Sequence, residues 1–365
     1  MPRLHYLCLE RLRPASAADT HVRGLLSELT ARGWRTTLFA DVAVDHHRPG
    51  GVRQLLRYMR LQLKAMTRLR SANIVFVRQH FASLPLVAIA RLAGIPVVLE
   101  LNGLPDDVIA TYPYLGYLKR VITWCHTSQF RCASHVLAVT EGLAAHVRRQ
   151  AQAVPVTVIS NGANTDLFAD QGQSRPNDAP KGSYVITFGD FALWHDLDLI
   201  LRAVRDPAWP SHVKLLKIGQ GSAAQTRAIP GDLADRVVWL ERRTQSELAA
   251  YIIHALAGIV PISGDAGRAV IGVMPLKLFE ILSCGRPAIV TDLPSQSELV
   301  RDHACGIVVP IDGAQDLAAA VAGLACDRSV ALQMGLRGRE IVVSRYSWRF
   351  LAGEVDTILR GLIEK

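Results

Sequence analysis

Residues 258–292 read GIVPISGDAGRAVIGVMPLKLFEILSCGRPAIVTD. A short apolar run, Gly258–Pro261, enters a loop bearing Gly264 and Gly267. An apolar-periodic stretch then runs from Pro275 to Cys284, and a second β-branched run follows at Ala288–Thr291. Pro275 fits a first helical turn, where its missing N–H costs no hydrogen bond. Gly285 and Pro287 form a stop signal. The stretch therefore reads as strand, glycine loop, helix, strand. The free N–H groups of a helix start, brought to the end of a strand, attract anions. Lys277 and Glu280 share a helix face with Leu276. On spacing alone that pair reads as a surface i,i+3 ion pair.

The same alternation extends both ways. Strand candidates are Leu4–Leu9, Thr36–Ala40, Ile74–Val77, Val97–Leu99, Val136–Val139 and Val156–Ile159, with helical patterns near 20–32, 52–69, 84–93, 113–132 and 141–150. It breaks at Ala169–Ser183, a polar stretch rich in Gln, Gly, Asn, Asp and Pro that reads as a linker. It resumes at Tyr184–Phe188, Lys214–Ile218, Val237–Leu240, Gly258–Pro261, Ala288–Thr291 and Ile307–Val309, and ends in helices near 313–325, 329–343 and 347–363. Such order argues for two successive doubly wound α/β domains with a cleft between them, each binding its ligand at the carboxyl ends of its strands. A length of 365 residues fits two domains of roughly 150 or more.

Half the residues are apolar and 20% are charged, which excludes a disordered chain. No run reaches the roughly 18 to 20 uncharged apolar residues of a membrane span. The start, Met1–Pro14, does not read as a secretory signal. The six cysteines lack metal-site spacing, so reduced, buried thiols and no metal are expected. The formal charge of +9 is unevenly placed. Residues 1–160 hold 20 Lys+Arg against 9 Asp+Glu, and the remainder holds 21 against 23. Charge is densest from Arg48 to Arg70, seven basic residues without an acid. Arg53, Arg57, Arg60, Lys64 and Arg68 fall on one side of a helix. Leu56, Met59, Leu63 and Met66 are placed on the opposite side and are expected to pack on a sheet. The basic face is a candidate contact for an anionic surface, lipid headgroups or a phosphorylated substrate.

PLKLFEILSCGRPAIVTD (275–292) resembles the donor-site helix and following strand of the retaining nucleotide-sugar glycosyltransferases of family 4, which have the two-domain GT-B fold. VISNGANTDLF (158–168), LELNG (99–103), SHVLAVTEGL (134–143), FGDFALWHDLDLI (188–200) and RYSW (345–348) resemble other family segments in the same order. The resemblance covers nearly the whole chain. It implies two Rossmann-like domains facing a central cleft: an acceptor domain at 1–168, a linker at 169–183 and a donor domain at 184–344. A helix at 345–365 crosses back to the N-terminal domain.

By position, Glu280 would accept hydrogen bonds from the donor ribose hydroxyls, and Lys277, Leu276, Pro275, Gly189, His195 and Gly272 would complete the donor site. Two departures stand out. The family often has Glu where this chain has Gly272, and Arg and Lys where it has Asp190 and His195. His195 would donate to phosphate, more strongly when protonated, and Lys277 would supply missing charge. The family's Gly-rich first turn is here PASAADTH (14–21). Ser16, Ala17 and Ala18 are small enough for close approach, and Asp19 or Thr20 is expected to cap the next helix. His21, Glu100 and Asn102 are the polar candidates for catalysis at the cleft floor.

The resemblance implies transfer of a sugar from a nucleotide donor to a glycan or lipid-linked acceptor, with retention and without a dedicated metal or cofactor. It also implies a cytoplasmic enzyme peripheral on the inner face of the plasma membrane. Two alternatives remain at this point. The departures would suit a catalytically impaired GT-B protein that scaffolds or activates a partner. Net charge alone would suit nucleic-acid binding, but no aromatic-interleaved basic motif supports it, so no nucleic-acid partner is expected.

Overall fold

A β-strand inside a parallel sheet is buried on both faces, so its sequence is a near-continuous apolar run rather than an alternating one. Ile74–Arg78, Val97–Leu101 and Tyr184–Phe188 are of this kind, with all or all but one of their residues buried. The computed structural model describes residues 1–14, 16–42, 51–189, 194–219, 229–265 and 267–364. Its contacts divide the chain into two units, Met1–Ser160 with Leu351–Lys365, and Asn161–Phe350.

The first unit contains β1 (Arg3–Leu12), α1 (Ala17–Ala31), β2 (Arg35–Val42), α2 (Gly51–Met66), β3 (Ile74–Arg78), α3 (Leu84–Leu92), β4 (Val97–Leu101), α4 (Pro105–Thr111), α5 (Lys119–Phe130), β5 (His135–Ala138), α6 (Glu141–Gln150) and β6 (Val156–Val158). Its sheet is parallel throughout, in the order β2-β1-β3-β4-β5-β6. Tyr6, Leu25, Trp34 and Phe76 are among the side chains of its core.

The second unit repeats the plan with β7 (Tyr184–Phe188), α7 (Leu197–Arg205), β8 (Lys214–Ile218), β9 (Val237–Leu240), α8 (Gln245–Ile253), β10 (Gly258–Val260), α9 (Arg268–Ile271), α10 (Leu276–Ser283), β11 (Ala288–Thr291), α11 (Gln296–Asp302), β12 (Gly306–Val309), α12 (Ala314–Cys326) and α13 (Arg328–Arg345). Its sheet, also parallel, runs β12-β11-β10-β7-β8-β9. Both sheets are doubly wound, as the alternation in the sequence implied.

The division at Ser160/Asn161 places residues 161–183 in the second unit. Residues of this stretch bond to the rest of that unit. Asn161 Nδ2 donates to the Met274 carbonyl at 2.6 Å. The Phe168 carbonyl accepts from Ser283 Oγ at 3.0 Å. Asp178 accepts from Tyr251 Oη at 2.6 Å and Arg243 Nη2 at 2.7 Å.

The last helix, α14 (Trp348–Ile363), begins in the second unit and returns to the first. Ala352, Val355 and Leu359 enter the first unit's core. Trp34 Nε1 donates to Asp356 Oδ1 at 2.6 Å, and Arg360 bonds Asp356 at 2.9 Å and the Arg32 carbonyl at 2.9 Å. Asp356→Ala leaves the indole N–H of a buried tryptophan without its acceptor. We expect a loss of about 1–3 kcal/mol in urea unfolding, and an unchanged midpoint would show that the α14 anchor is apolar alone.

Candidate functional site

In a doubly wound sheet, crossovers leave in opposite directions at one point, and the carboxyl ends of the strands there stay open for a ligand. That switch point lies between β1 and β3 in the first unit, and between β7 and β10 in the second. Most of the site residues expected from sequence collect at these two places.

At the first switch point, Glu100 at the carboxyl end of β4 is buried and receives four hydrogen-bond donors. Its Oε1 accepts from His21 Nε2 at 2.8 Å, Arg78 Nη1 at 2.6 Å and Asn102 Nδ2 at 2.6 Å, and its Oε2 from Tyr6 Oη at 2.8 Å. Burial alone would push this carboxyl up. His21, Arg78 and the hydrogen bond from Asn102 outweigh it and hold the group well below the usual carboxylate range. Burial and Glu100 together raise the Tyr6 phenol, which stays protonated. The structure thus joins the three catalytic candidates His21, Glu100 and Asn102, and adds Tyr6 and Arg78, which sequence reasoning missed because a Tyr or Arg inside a strand carries no motif. Glu100, surrounded by donors, ties the side chains of His21 and Asn102 to the end of β4. Ser16, not Asp19 or Thr20, caps α1: its Oγ accepts from the Asp19 N–H at 3.3 Å. Asp19 lies inside the first turn and pairs with Arg23 at 2.6 Å. Ala17 and Ala18 form that turn; Ala15 lies outside the described residues.

At the second switch point, His195 and Ile262 form an isolated antiparallel bridge across the β7/β10 gap. Pro275 occupies the N-cap position of α10 rather than its first turn, so Leu276 and Lys277 are the first helical residues. Lys277 and Glu280 are both buried, not a surface pair. Burial drives the Glu280 carboxyl up to about 7, against Lys277 and a 3.3 Å hydrogen bond from Gln245 Nε2. Burial likewise drives the Lys277 ammonium down to about 7. His195 is held well below its ordinary value by burial and then by Lys277 and Arg268. It is therefore a neutral hydrogen-bonding group near pH 7, without the stronger donation that protonation would bring. Arg268, missed in the sequence, stacks on Trp194 at 5.0 Å and bonds the Asp265 carbonyl. It brings a guanidinium to the surroundings of His195. Asp190 lies outside the described residues.

Gly272 has φ +73°, and a Cβ there would meet Ser295 Oγ at 2.7 Å and the Pro294 carbonyl at 2.8 Å. Left-handed backbone against a fixed turn requires glycine, so a Glu introduced at 272 would displace residues 294–295 instead of restoring a sugar contact. Gly189 has φ +110°, and its carbonyl lies 2.3 Å from where a Cβ on Gly219 would stand. The two loops approach too closely for a side chain at 219.

Helix α2 corrects a sequence expectation. Leu56, Met59 and Leu63 do not pack on the sheet; with Val52 and Leu55 they are all about half exposed or more. The buried sector carries Gln62 and Ala65 instead. Gln62 Nε2 donates to the Ala82 carbonyl at 2.9 Å, and its Oε1 accepts from the Leu86 N–H. Arg57 is also withdrawn from the basic face, bound to Asp41 at 3.2 Å and to the Leu9 carbonyl at 2.9 Å. Arg53, Arg60, Lys64 and Arg68 remain exposed. A helical wheel separates faces but does not say which one packs. Among the cysteines, Cys8, Cys284 and Cys305 are buried, while Cys125 and Cys132 are half-buried and Cys326 exposed. All six are free thiols. Among the described residues, no group of three or more His, Cys, Asp or Glu is placed to hold a metal, and no single helix is long and apolar enough to cross a membrane.

Two parallel doubly wound units, with α14 passing from one to the other, are the build of a GT-B glycosyltransferase. The family model described as Glycosyltransferase Family 4 matches residues 18–167, and that described as Glycosyl transferases group 1 matches residues 182–327. The chain belongs to the family 4 glycosyltransferases. It is 32% identical over 153 residues to the GDP-mannose-dependent alpha-(1-6)-phosphatidylinositol monomannoside mannosyltransferase of Mycobacterium tuberculosis, covering 40% of this chain and 39% of that protein. The match spans about two fifths of that relative's length. GDP-mannose:cellobiosyl-diphosphopolyprenol alpha-mannosyltransferase of Xanthomonas campestris is 25% identical over 295 residues, 78% of this chain and 73% of that one. Sucrose-phosphate synthase of Thermosynechococcus elongatus shares the fold, with a TM-score of 0.81 over the full length of both chains at 19% identity.

Two predictions follow from the charge states. Glu100 is depressed, so its contribution is complete above the ordinary carboxylate value of 4.5 and is lost as pH falls below it. Glu100→Gln is expected to cost about 3 kcal/mol at pH 7, and the gap to the parent should narrow as pH is lowered toward 3. An equal gap at both ends of a urea-unfolding series would contradict the ionised anchor. Glu280 is raised, so the folded chain keeps a proton that the unfolded chain releases between 4.5 and about 7, and stability falls across that window. Ligand-free Glu280→Gln should therefore be no less stable than the parent at pH 8, while donor binding weakens about tenfold or more. A destabilised variant with intact binding would sink this account.

Proposed function

We propose that this protein transfers a mannosyl group from GDP-mannose to a lipid-linked acceptor at an anionic membrane surface, with retention of anomeric configuration. The observation that carries the membrane part is the exposed apolar ridge of α2. Val52, Leu55, Leu56, Met59 and Leu63 form one sector, bordered by Arg53, Arg60 and Lys64. An apolar ridge with a cationic border suits the boundary between acyl chains and anionic headgroups. Tyr114, Tyr117, Val121 and Trp124, in the segment after α4, are also exposed. Tyr and Trp favour the same boundary.

The donor part rests on the two GDP-mannose-dependent relatives and on the cluster around α10. The bond that breaks joins the anomeric carbon to a diphosphate oxygen, and cationic groups and N–H dipoles at the departing phosphate lower the barrier. Lys277, Arg268 and the start of α10 are suited to that task. Glu280 would accept from the ribose hydroxyls, and hydrogen bonds to its ionised form would offset the burial that now raises it. His21 and Asn102, fixed by Glu100, would face the acceptor. A soluble nucleotide donor would suit the cytoplasmic side of the membrane. The cationic groups beside His195 favour a working transferase over a scaffold.

Charge reversal at Arg53, Arg60 and Lys64 should release the protein from phosphatidylglycerol vesicles, since each basic residue near such a surface is worth about 1 kcal/mol. GDP binding should be retained. Unchanged sedimentation with vesicles would remove α2 from the membrane contact. Failure to consume GDP-mannose in the presence of membrane lipid extracts would refute the reaction itself.

A further inference from the structure

A second concentration of positive charge lies at the amino ends of the strands in the second unit, the edge opposite Lys277 and Glu280. A cleft of about 270 Å³ opens there, lined by Arg175, Arg286, Arg328 and His254, with Leu256 and Ala331 among its walls. The four basic residues come from four separate segments. Arg175 belongs to the 161–183 stretch, His254 caps the end of α8, Arg286 sits in the turn between α10 and β11, and Arg328 opens α13. Four arginines elsewhere in this unit face carboxylates: Arg202, Arg205, Arg243 and Arg301 each hold one at 2.6 to 3.1 Å. Among the described residues, none of the three lining arginines makes an ion pair.

Their hydrogen bonds fix them without cancelling their charge. Arg175 donates to the Pro180 and Gly182 carbonyls and lies over the Tyr184 ring at 5.0 Å. Arg328 donates to Ser183 Oγ. His254 Nε2 meets the Gln173 carbonyl at 2.8 Å. Arg286 Nε is buried without a hydrogen-bond partner. Of the nearby acids, Asp170 acts on Arg286 only at a distance, and Asp327 is engaged in capping α13 through Ser329 and Val330. Guanidinium groups gathered on one cleft repel each other unless an anion joins them, and their planar forks match phosphate oxygens.

We propose that this cleft binds the phosphate monoester group of a small soluble metabolite, with the carbon skeleton against Leu256 and Ala331. One carboxylate would answer one arginine, whereas a dianionic phosphate presents enough oxygens for all three. The volume lies near the roughly 300 Å³ lower bound of small-molecule sites, which suits a ligand of sugar-phosphate size. The site is separate from the proposed donor site and stands whether or not the mannosyl reaction does.

Isothermal titration of the full chain with mannose 6-phosphate, with and without saturating GDP, tests it. One saturable event at millimolar or tighter Kd is expected in both arms. Arg286→Gln and Arg328→Gln should each weaken it about tenfold. Arg328 is exposed at the start of a helix already capped by Asp327, so its variant keeps the fold if that of Arg286 does not. No saturable binding, binding abolished by GDP, or binding unchanged in Arg328→Gln would overturn the proposal.

Discussion

A parallel sheet leaves little backbone free. Its strands are hydrogen-bonded along both sides and its faces are covered by the crossover helices, so polar chemistry is confined to the strand ends and helix starts. At a switch point, two crossovers diverge and no helix closes the gap. This constraint, applied twice in one chain, determines where Glu100 and Glu280 stand. Glu100 ends β4 next to the β1/β3 opening, where Tyr6, Arg78 and the start of α1 bring four donors to it. Glu280 lies one turn into α10, whose start follows the loop that leaves β10.

The two carboxylates are equally buried but oppositely solved. Around Glu100 the donors exceed what burial costs, and the group is ionised, rigid and committed. Around Glu280 they do not: burial outweighs Lys277 and one amide at 3.3 Å, and the carboxyl is pushed up to about 7. A protein optimised only for stability would fill the second position with an apolar side chain. An acid and a base buried side by side at a helix start, each shifted by that burial, are the kind of pair found at binding and catalytic sites. The first cluster is fixed by its hydrogen bonds, and the second is set by the burial of an acid beside a base.

Much of this was legible in the sequence. The twelve strands of the described residues all follow short, mostly apolar runs, although the edge strands β2, β6, β9 and β12 are only partly buried. The positions of Glu280 and Lys277 follow from a helix bounded by Pro275 and Gly285. What was not legible depends on partners distant in the chain. Tyr6 and Arg78 look like strand residues until the sheet order places them beside Glu100. Arg268 acquires meaning only from its stacking on Trp194 and its proximity to His195. Gly272 read as a lost glutamate, whereas the Pro294–Ser295 turn behind it leaves no room for any side chain.

Helix α2 shows why the amphipathic pattern misled and why it matters. Two sectors, cationic and Leu/Met-rich, were visible, and an apolar face normally seeks the core. The core was reached instead by a third sector through Gln62 and Ala65, small and hydrogen-bonding residues that allow close approach to the 82–86 turn. Water would not favour the arrangement that results, since five large aliphatic side chains stay exposed on one helix. Their burial is worth roughly 1.5 to 3 kcal/mol each when complete, so even partial insertion into an apolar phase outweighs the attraction of the three or four neighbouring cations. In the proposed membrane contact, charge would bring the helix to an anionic surface and its apolar ridge would supply most of the affinity.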